Sequence, residues 1–587
     1  MRGTWRLINK IINKSNFVDK LPTSINLPNG QSETNVHAIA ENFNNFFVNI
    51  GKTLAESIPS TSIQAQSYIK RSPANSFALS LTDEYEINAI IANLKNKHSA
   101  GPDDIPVGVV KAVKETISPI LSKIINISFE TGVFPDRLKL SKVTPIFKSG
   151  NKSEMGNYRP ISILSTFSKI FEKAIALRLT NFLEKHAILH DNQFGFRKGH
   201  STDMALTLFN DFIADAIDKK EYAISIFIDL SKAFDTVDHA ILISKLYCHG
   251  IRGKPLDLIK SYLTNRKQCV VYNEETSLYK TITCGVPQGS ILGPTLFLIY
   301  IDDLVNSSKF FTYILFADDT TLLCKNKSLA ILEQQINKNL LYIDNWFQVN
   351  KLSLNIKKTT YVLFNYSRSK GPEPLLNLQG QNIVRSKAFK FLGLEKNEDL
   401  SWKTHISKVV RTISYTIAQI ARIKYKINKQ AGRLIYNALI LPHLLYGNIV
   451  WAGTYQSHLK KLISVQRTAA KICLENNSIQ PEYLCVEDLY ILNCLNFVYK
   501  SKHCLLPKSF TNFFNPTEYL HNYNMRRNQS IQIMYARTNY KKFSLRVAGP
   551  KIWNKFIKNC PELSTAKNLK YFSKLVKKRL SNNDLFA

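Results

Sequence analysis

Two apolar runs that end in acid constrain this chain more than any other feature. Ala223-Ile-Ser-Ile-Phe-Ile-Asp229 is almost uninterrupted apolar sequence. It continues through Leu230-Ser-Lys-Ala-Phe-Asp235 into a segment carrying Val237, Ile241 and Leu242 at helical spacing. A run of this length without polar alternation reads as a central strand buried on both faces, which delivers Asp229 to its end. Phe311-Thr-Tyr-Ile-Leu-Phe-Ala-Asp-Asp-Thr-Thr-Leu-Leu323 is apolar on both sides of Asp318 and Asp319, so it predicts a hairpin with the acidic pair at its tip. Turns favour Asp, and one such residue after a strand is ordinary turn chemistry. Two acidic strand ends side by side are an all-oxygen site for Mg²⁺. Paired ions roughly 3.5–4 Å apart stabilise the attacking and leaving oxygens of phosphoryl transfer, so nucleotidyl transfer is the chemistry implied.

The charge balance agrees. The 587 residues contain 78 Lys+Arg against 44 Asp+Glu, a net +34. Such an excess concentrates polyanions, with nucleic acid ahead of an anionic membrane surface. With 44% hydrophobic and 11% aromatic residues, the composition excludes a disordered, collagenous or low-complexity chain and supports more than one packed core. Nine cysteines without a C-x-x-C pair exclude a disulfide framework or zinc ribbon, and the spacing of Cys485, Cys494, His503 and Cys504 matches no common zinc pattern. Reduced thiols point to the cytosol or nucleus. The opening MRGTWRLINKIINKS lacks the apolar core of a secretory signal and reads as a surface helix or linker ahead of a basic transit segment. The uncharged stretch Leu434 to Ser457 is interrupted by Asn437, Pro442, His443 and Asn448, so buried helix pairs are expected there rather than a membrane span.

Four regions follow. Residues 1–80 read as an extension or connector with one amphipathic helix through Ile39, Phe43, Phe46 or Phe47, and Ile50. A globular unit spans 81–395, opening on a helix with Thr82 as N-cap and Ile87, Ile90, Ile91 and Leu94 at helical spacing. Residues 396–480 are helical and 481–587 are basic. Tyr300-Ile-Asp-Asp303 has the form of a polymerase signature, but it follows an apolar helix and no strand returns after it, so Asp302 and Asp303 are read as a helix end. Gly285-Val-Pro-Gln-Gly-Ser-Ile-Leu-Gly-Pro294 is a loop that lets backbone approach a neighbour closely.

These blocks resemble reverse transcriptases, and among them the polymerases of non-LTR, LINE-type retrotransposons of the jockey kind, over about residues 95 to 405. Ser99-Ala-Gly-Pro-Asp-Asp-Ile-Pro106, Val143-Thr-Pro-Ile-Phe-Lys148, Asn157-Tyr-Arg-Pro-Ile-Ser162 and Gln193-Phe-Gly-Phe-Arg197 look like the opening motifs. Phe227 to Asp235 resembles motif A, Pro287-Gln-Gly-Ser290 motif B, Phe316-Ala-Asp-Asp319 motif C and Asn350 to Lys358 motif D. Phe391-Leu-Gly-Leu394 resembles the primer grip, and Leu400-Ser-Trp-Lys-Thr-His-Ile406 is typical of the LINE branch.

The resemblance implies an α+β right-hand polymerase: fingers, a ferredoxin-like palm with an antiparallel sheet, a helical thumb and a mainly helical C-terminal region. Asp229 and Asp318 would bind two Mg²⁺, with Mn²⁺ as a substitute, and Asp319 would support them. Lys148 and Arg159 would contact the triphosphate, Arg159 as a planar fork. Phe234 would exclude a ribose 2′-OH, Gln288 and Gly289 would line the base-pair pocket, and Lys358 would protonate pyrophosphate. Phe391, Leu392 and Gly393 would grip the primer. Taken singly, the basic residues are solvated surface charges and Phe234 a core ring. Implied partners are an RNA template, a DNA primer or target DNA, and dNTPs, with no membrane. About 80 residues precede the polymerase region, so an endonuclease supplied in trans and a truncated reading frame are expected, as is residence in nucleus and cytoplasm as a ribonucleoprotein. A catalytically inactive nucleic-acid-binding remnant is the alternative. An RNA-dependent RNA polymerase is disfavoured by Phe234 and by Ala317 in place of glycine.

Overall fold

The computed structural model describes residues 22–27, 30–59, 61–69, 75–366, 373–474, 483–515, 530–560 and 566–581. In chain order the principal strands are β1 (Leu140–Phe147), β2 (Tyr158–Leu164), β3 (Tyr222–Ile228), β4 (Lys267–Tyr272), β5 (Thr312–Phe316), β6 (Asp319–Asn326), β7 (Thr360–Phe364), β8 (Val384–Arg385), β9 (Ala388–Phe391) and β10 (Leu394–Asn397). The principal helices are α1 (Val36–Glu56), α2 (Glu84–Asn93), α3 (Thr166–Lys185), α4 (Thr202–Asp218), α5 (Leu292–Ile301), α6 (Leu329–Val349), α7 (Lys403–Ala421), α8 (Gln456–Leu474), α9 (Val486–Lys502), α10 (Leu545–Asn559) and α11 (Leu569–Ser581).

One sheet runs β2-β1-β4 with two short edge strands; a second runs β8-β7-β3-β6-β5 and is antiparallel except for the β7–β8 pair. The expected central strand is β3, and its side chains serve two cores by the two-residue period of a strand. Ile224, Ile226 and Ile228 enter one core, while Ala223 and Phe227 face the other. Tyr361 and Leu363 divide from Val362 and Phe364 in the same way on β7. Burying each such branched or aromatic side chain contributes about 1.5–3 kcal/mol, which is why β3 reads as continuous apolar sequence.

The first core holds α2, α3, α5 and α6. The second joins the opposite sheet face to α4 and to helices α7 through α11, so the C-terminal region shares a core with the sheet. Lys541 and Asp211 of α4 close that junction with a nearly buried pair at 2.9 Å.

Helix α1 packs on the first sheet: Ile39, Phe43 and Phe47 are buried, and Phe43 lies 5.1 Å from the Tyr158 ring and 5.5 Å from that of Tyr272. At α2 the cap is Asp83 rather than Thr82. The Asp83 carboxylate accepts from the Glu86 amide at 2.7 Å, and the Thr82 hydroxyl is engaged instead with the Glu86 side chain at 2.8 Å. Residues 434–451 form short helical pieces broken near Pro442 and at Gly447, which has φ +63°, with Ile440, Leu444, Ile449 and Trp451 buried. No helix among the described residues is long and apolar enough to cross a membrane. Cys485 serves as a helix cap, its sulfur accepting from the Asp488 amide at 3.4 Å.

Candidate active site

Asp229 follows the last residue of β3, and its backbone is held on both sides. Its N–H donates to Thr359 Oγ1 at 3.3 Å and its carbonyl accepts from Asn355 N–H at 2.8 Å, so the Asn350 to Lys358 segment hooks around the strand end. The expected hairpin is β5–β6, closed by the two-residue turn Ala317-Asp318, with Asp319 paired to Phe316. Because Thr320 lies opposite Ile228, Asp319 falls level with Asp229 on the neighbouring strand.

The turn is clamped from behind by a residue to which the sequence reading gave no role. Gln193 is fully buried, and its Oε1 accepts from Ala317 N–H at 3.0 Å and Gly195 N–H at 2.9 Å. Phe194 N–H to Leu315 O at 2.8 Å and Leu315 N–H to Asn192 O at 3.0 Å extend the contact along β5. A Cβ at Gly195 would stand 2.3 Å from the Ala317 nitrogen, so only glycine lets the two backbones meet.

Loss of hydration and then the charges of Asp318 and Asp229 raise Asp319 to about 6, against the opposing pull of Lys148 and Arg159. Loss of hydration raises Asp318 as well, with Asp229 adding to the effect. Lys148 and Arg159 sit on the β1–β2 hairpin, where Lys148 N–H bonds Asn157 O at 2.9 Å and Arg159 pairs with Ile146. Lys232 donates its ammonium to the Gly156 and Tyr158 carbonyls at 2.9 and 2.8 Å, which ties the turn after Asp229 to that hairpin. Burial lowers its pKa, and repulsion from Lys148, Arg159 and Lys358 adds to this, so four cations crowd around the carboxylates.

A cleft of about 330 Å³ opens beside them, lined by Asp229, Asp319, Lys358, Phe391 and Leu392. Phe391 ends β9, and the Leu392-Gly393 turn is propped by Tyr446, whose hydroxyl donates to Leu392 O at 2.5 Å. To the other side, Phe234 stacks on Phe297 at 4.5 Å and meets Phe196 edge-on at 6.4 Å; Phe196 is 60% exposed. Gln288 donates its amide to both oxygens of Asp235 at 2.9 Å, and burial raises Asp235 to about 6 against that bond. Gly289 has φ +120°, and a Cβ there would fall 2.5 Å from Ser162 O; Ser162 N–H bonds Gln288 O at 2.7 Å. The loop thus approaches strand β2. Its far end is fixed by buried Glu172, which accepts from Ile291 and Leu292 N–H at 2.5 and 3.1 Å as α5 begins.

The other acidic pair is a helix end, as expected. Asp303 bonds buried Lys245 at 2.7 Å and Trp346 Nε1 at 3.1 Å, and Asp302 accepts from His190 N–H at 2.7 Å.

No group of three His, Cys, Asp or Glu side chains among the described residues converges closely enough to hold a metal ion. The donor chemistry of the Asp229, Asp318 and Asp319 cluster still suits a hard divalent cation. Two of the three carboxyls are held above their ordinary range, and their mutual repulsion is what such a cation relieves.

Residues 146–396 match the family model described as reverse transcriptase (RNA-dependent DNA polymerase). Over that segment the chain is similar to reverse transcriptases, and the relatives it matches come from mobile elements. The segment holds every site residue described above from Lys148 to Gly393. The chain is 28% identical over 417 residues to the RNA-directed DNA polymerase from mobile element jockey of Drosophila melanogaster, covering 69% of this chain and 45% of that protein. The probable RNA-directed DNA polymerase from transposon X-element of the same organism is 26% identical over 482 residues, 80% of this chain and 52% of its own. That from transposon BS is 30% identical over 404 residues, 66% and 44%. The chain spans about half the length of the curated relatives it matches.

Within the matched segment, Asp229, Asp319, Lys358, Phe391 and Leu392 come together in one cleft, with Asp318 in the adjoining turn. Phe234, Gln288 and Gly289 form a separate nook tied to Asp235 and Ser162. Gln193, Lys232 and Tyr446 support these groups; the first two carried no signal beyond lying in the quoted blocks, and Tyr446 lies in none of them.

Proposed function

We propose that the chain is an RNA-directed DNA polymerase that adds dNTPs to a primer 3′-OH on an RNA template. One observation carries this: three carboxylates at adjacent strand ends, ringed by Lys148, Arg159, Lys232 and Lys358 where two sheets meet. Asp229, Asp318 and Asp319 would hold two Mg²⁺, or Mn²⁺ in their place. When bound, the ions supply charge stabilisation for the attacking and leaving oxygens. Lys148 and Arg159 take the triphosphate, and Lys358 gives a proton to departing pyrophosphate. Phe234, braced by Phe297, walls off a ribose 2′-OH, and Gln288, oriented by Asp235, stands beside the nascent base pair. The Phe391-Leu392-Gly393 turn, propped by Tyr446, positions the primer end. Most of the rate enhancement is then positioning and charge stabilisation.

In this reading the first sheet belongs to the fingers, the second is the palm, residues 396–480 form the thumb and 481–587 a basic C-terminal region, with 1–80 an N-terminal extension whose helix α1 packs on the fingers. The partners are an RNA template, a DNA primer or target DNA and dNTPs, with residence in nucleus and cytoplasm as a ribonucleoprotein. The test is primer extension on poly(rA)/oligo(dT) with Mg²⁺, comparing dTTP with UTP and wild type with Asp318→Ala. Extension by dTTP alone, lost in the variant, is expected. Template binding without extension marks an inactive remnant and overturns the proposal.

A further inference from the structure

Helix α11 lies beyond the residues matched by the family model, and it is built in two halves. Phe572, Val576 and Leu580 recur every four residues and are buried, with Phe572 stacked on Tyr499 at 4.4 Å. Lys570, Lys574, Lys577 and Lys578 point to the exposed side. Among the described residues, Lys570, Lys574 and Lys577 form no ion pair. Their ammonium groups are thus carried on a rigid element docked in the core.

Two clefts flank this helix and share Lys574 and Lys577. The first, about 580 Å³, adds Lys500, Lys570, Asn493 and Asn496, with Asp203 of α4 at its edge. Burial raises the Asp203 carboxyl, and a backbone hydrogen bond from Gly447 and the charge of Lys500 oppose that rise. The second, about 850 Å³, has Arg433 and Lys578 on its rim and Tyr436, Tyr483 and Leu484 among the residues that line it; Tyr571, 53% exposed, stands at its mouth. Cations spaced along one ridge suit successive phosphates, while an aromatic and apolar lining suits an unpaired base. A duplex keeps its bases stacked inside and has no use for such a lining.

We infer that the ridge of Lys570, Lys574 and Lys577, with the clefts on either side, is a binding site for single-stranded nucleic acid, separate from the carboxylate cleft. It reads the phosphodiester backbone and accepts an unpaired base beside Tyr571. The inference concerns binding alone and stands whether or not the chain polymerises.

The test uses the full chain and labelled 20-nucleotide oligo(rU) and oligo(dT), with duplex DNA of the same length and anionic phosphatidylserine vesicles as comparators. The triple variant Lys570→Glu/Lys574→Glu/Lys577→Glu is expected to bind single strands at least about 10-fold more weakly near 100 mM salt. Replacing the lysines by Gln should flatten the salt dependence by about 2 in log–log slope, at roughly 0.7 per phosphate contact on a single strand. The triple Lys→Arg variant should restore wild-type affinity. Loss on oligo(rU) alone would identify RNA as the source of the strand, and equal loss on both would identify the shared backbone; either supports the site. Unchanged affinity and slope, an equal loss in the Arg variant, a larger loss on duplex DNA, or a loss confined to vesicles would each overturn it.

Discussion

Two Asp-Asp pairs sixteen positions apart have opposite fates in this protein. Asp318 and Asp319 sit in a two-residue turn and at the strand end beside it, both pushed up by loss of hydration and by Asp229, and Asp319 by Asp318 as well, with cations near but not bonded. Asp302 and Asp303 sit at the end of α5, buried, with a lysine ammonium, an indole N–H and a backbone amide as partners. The first pair keeps its charge unsatisfied and accessible, which suits a site awaiting cations. The second spends its charge on holding helices together. Residue identity is the same, so environment alone divides function from structure.

The largest expected effect would break the comparison if it failed. Asp318→Ala should lower primer extension by at least about 1,000-fold, the scale of losing a principal charge-stabilising group. Thermal stability should be unchanged or raised, because one repelling carboxyl is gone. Asp303→Ala should do the reverse: it strands the Lys245 ammonium in the core and costs about 3–5 kcal/mol in urea unfolding. Adding Lys245→Met to it should recover much of that loss.

Gln193→Ala removes one hydrogen bond to the Ala317-Asp318 turn and one to Gly195, and leaves two buried amides unsatisfied. Stability should fall by about 1–3 kcal/mol. Extension should fall chiefly in kcat, with KM for dTTP little changed, since the residue positions the turn without touching the nucleotide.

The smallest effect is one of pH. Burial raises Asp302 to about 7, with Asp303 adding to the shift. The folded protein then holds a proton that the unfolded chain has released, so stability declines as pH rises from the ordinary carboxylate range to about 7, and the penalty is constant above. Asp302→Asn keeps an acceptor for His190 N–H and removes that penalty. Its melting temperature should exceed wild type by several degrees at pH 8, with the gap closing as pH falls towards 4.

Much of this was legible in the sequence because the signals were local. A strand buried on both faces must be apolar at every position, so β3 announced itself. A hairpin with acid at its tip needs only its own residues to be read, and the absence of a returning strand was enough to set Asp302 and Asp303 aside. The positions of Phe391 to Gly393, Gln288 and Gly289 came from ordered blocks rather than from physics. What was not legible depends on distant partners. Glu172 looks like any helix acid until Ile291 and Leu292, some 120 residues on, present their amides to it. Gln193 gains its importance from Ala317, and Leu392 is propped by Tyr446. The helical period of α1 was plain, but nothing local said that Phe43 would pack on Tyr158 and Tyr272. Nor did the C-terminal helices show that they share a core with the sheet. The cap of α2 was misplaced by one residue because Thr82 and Asp83 are both good caps, and the choice turned on Thr82 finding Glu86.

The most direct test sets the two pairs side by side: extension of oligo(dT) on poly(rA) by Asp318→Asn and by Asp302→Asn, each with its melting curve at pH 8. The prediction is that the Asp318 variant melts at or above wild type and does not extend, while the Asp302 variant melts higher and extends normally. Full extension by a folded Asp318→Asn protein would contradict the assignment of that hairpin as the catalytic pair.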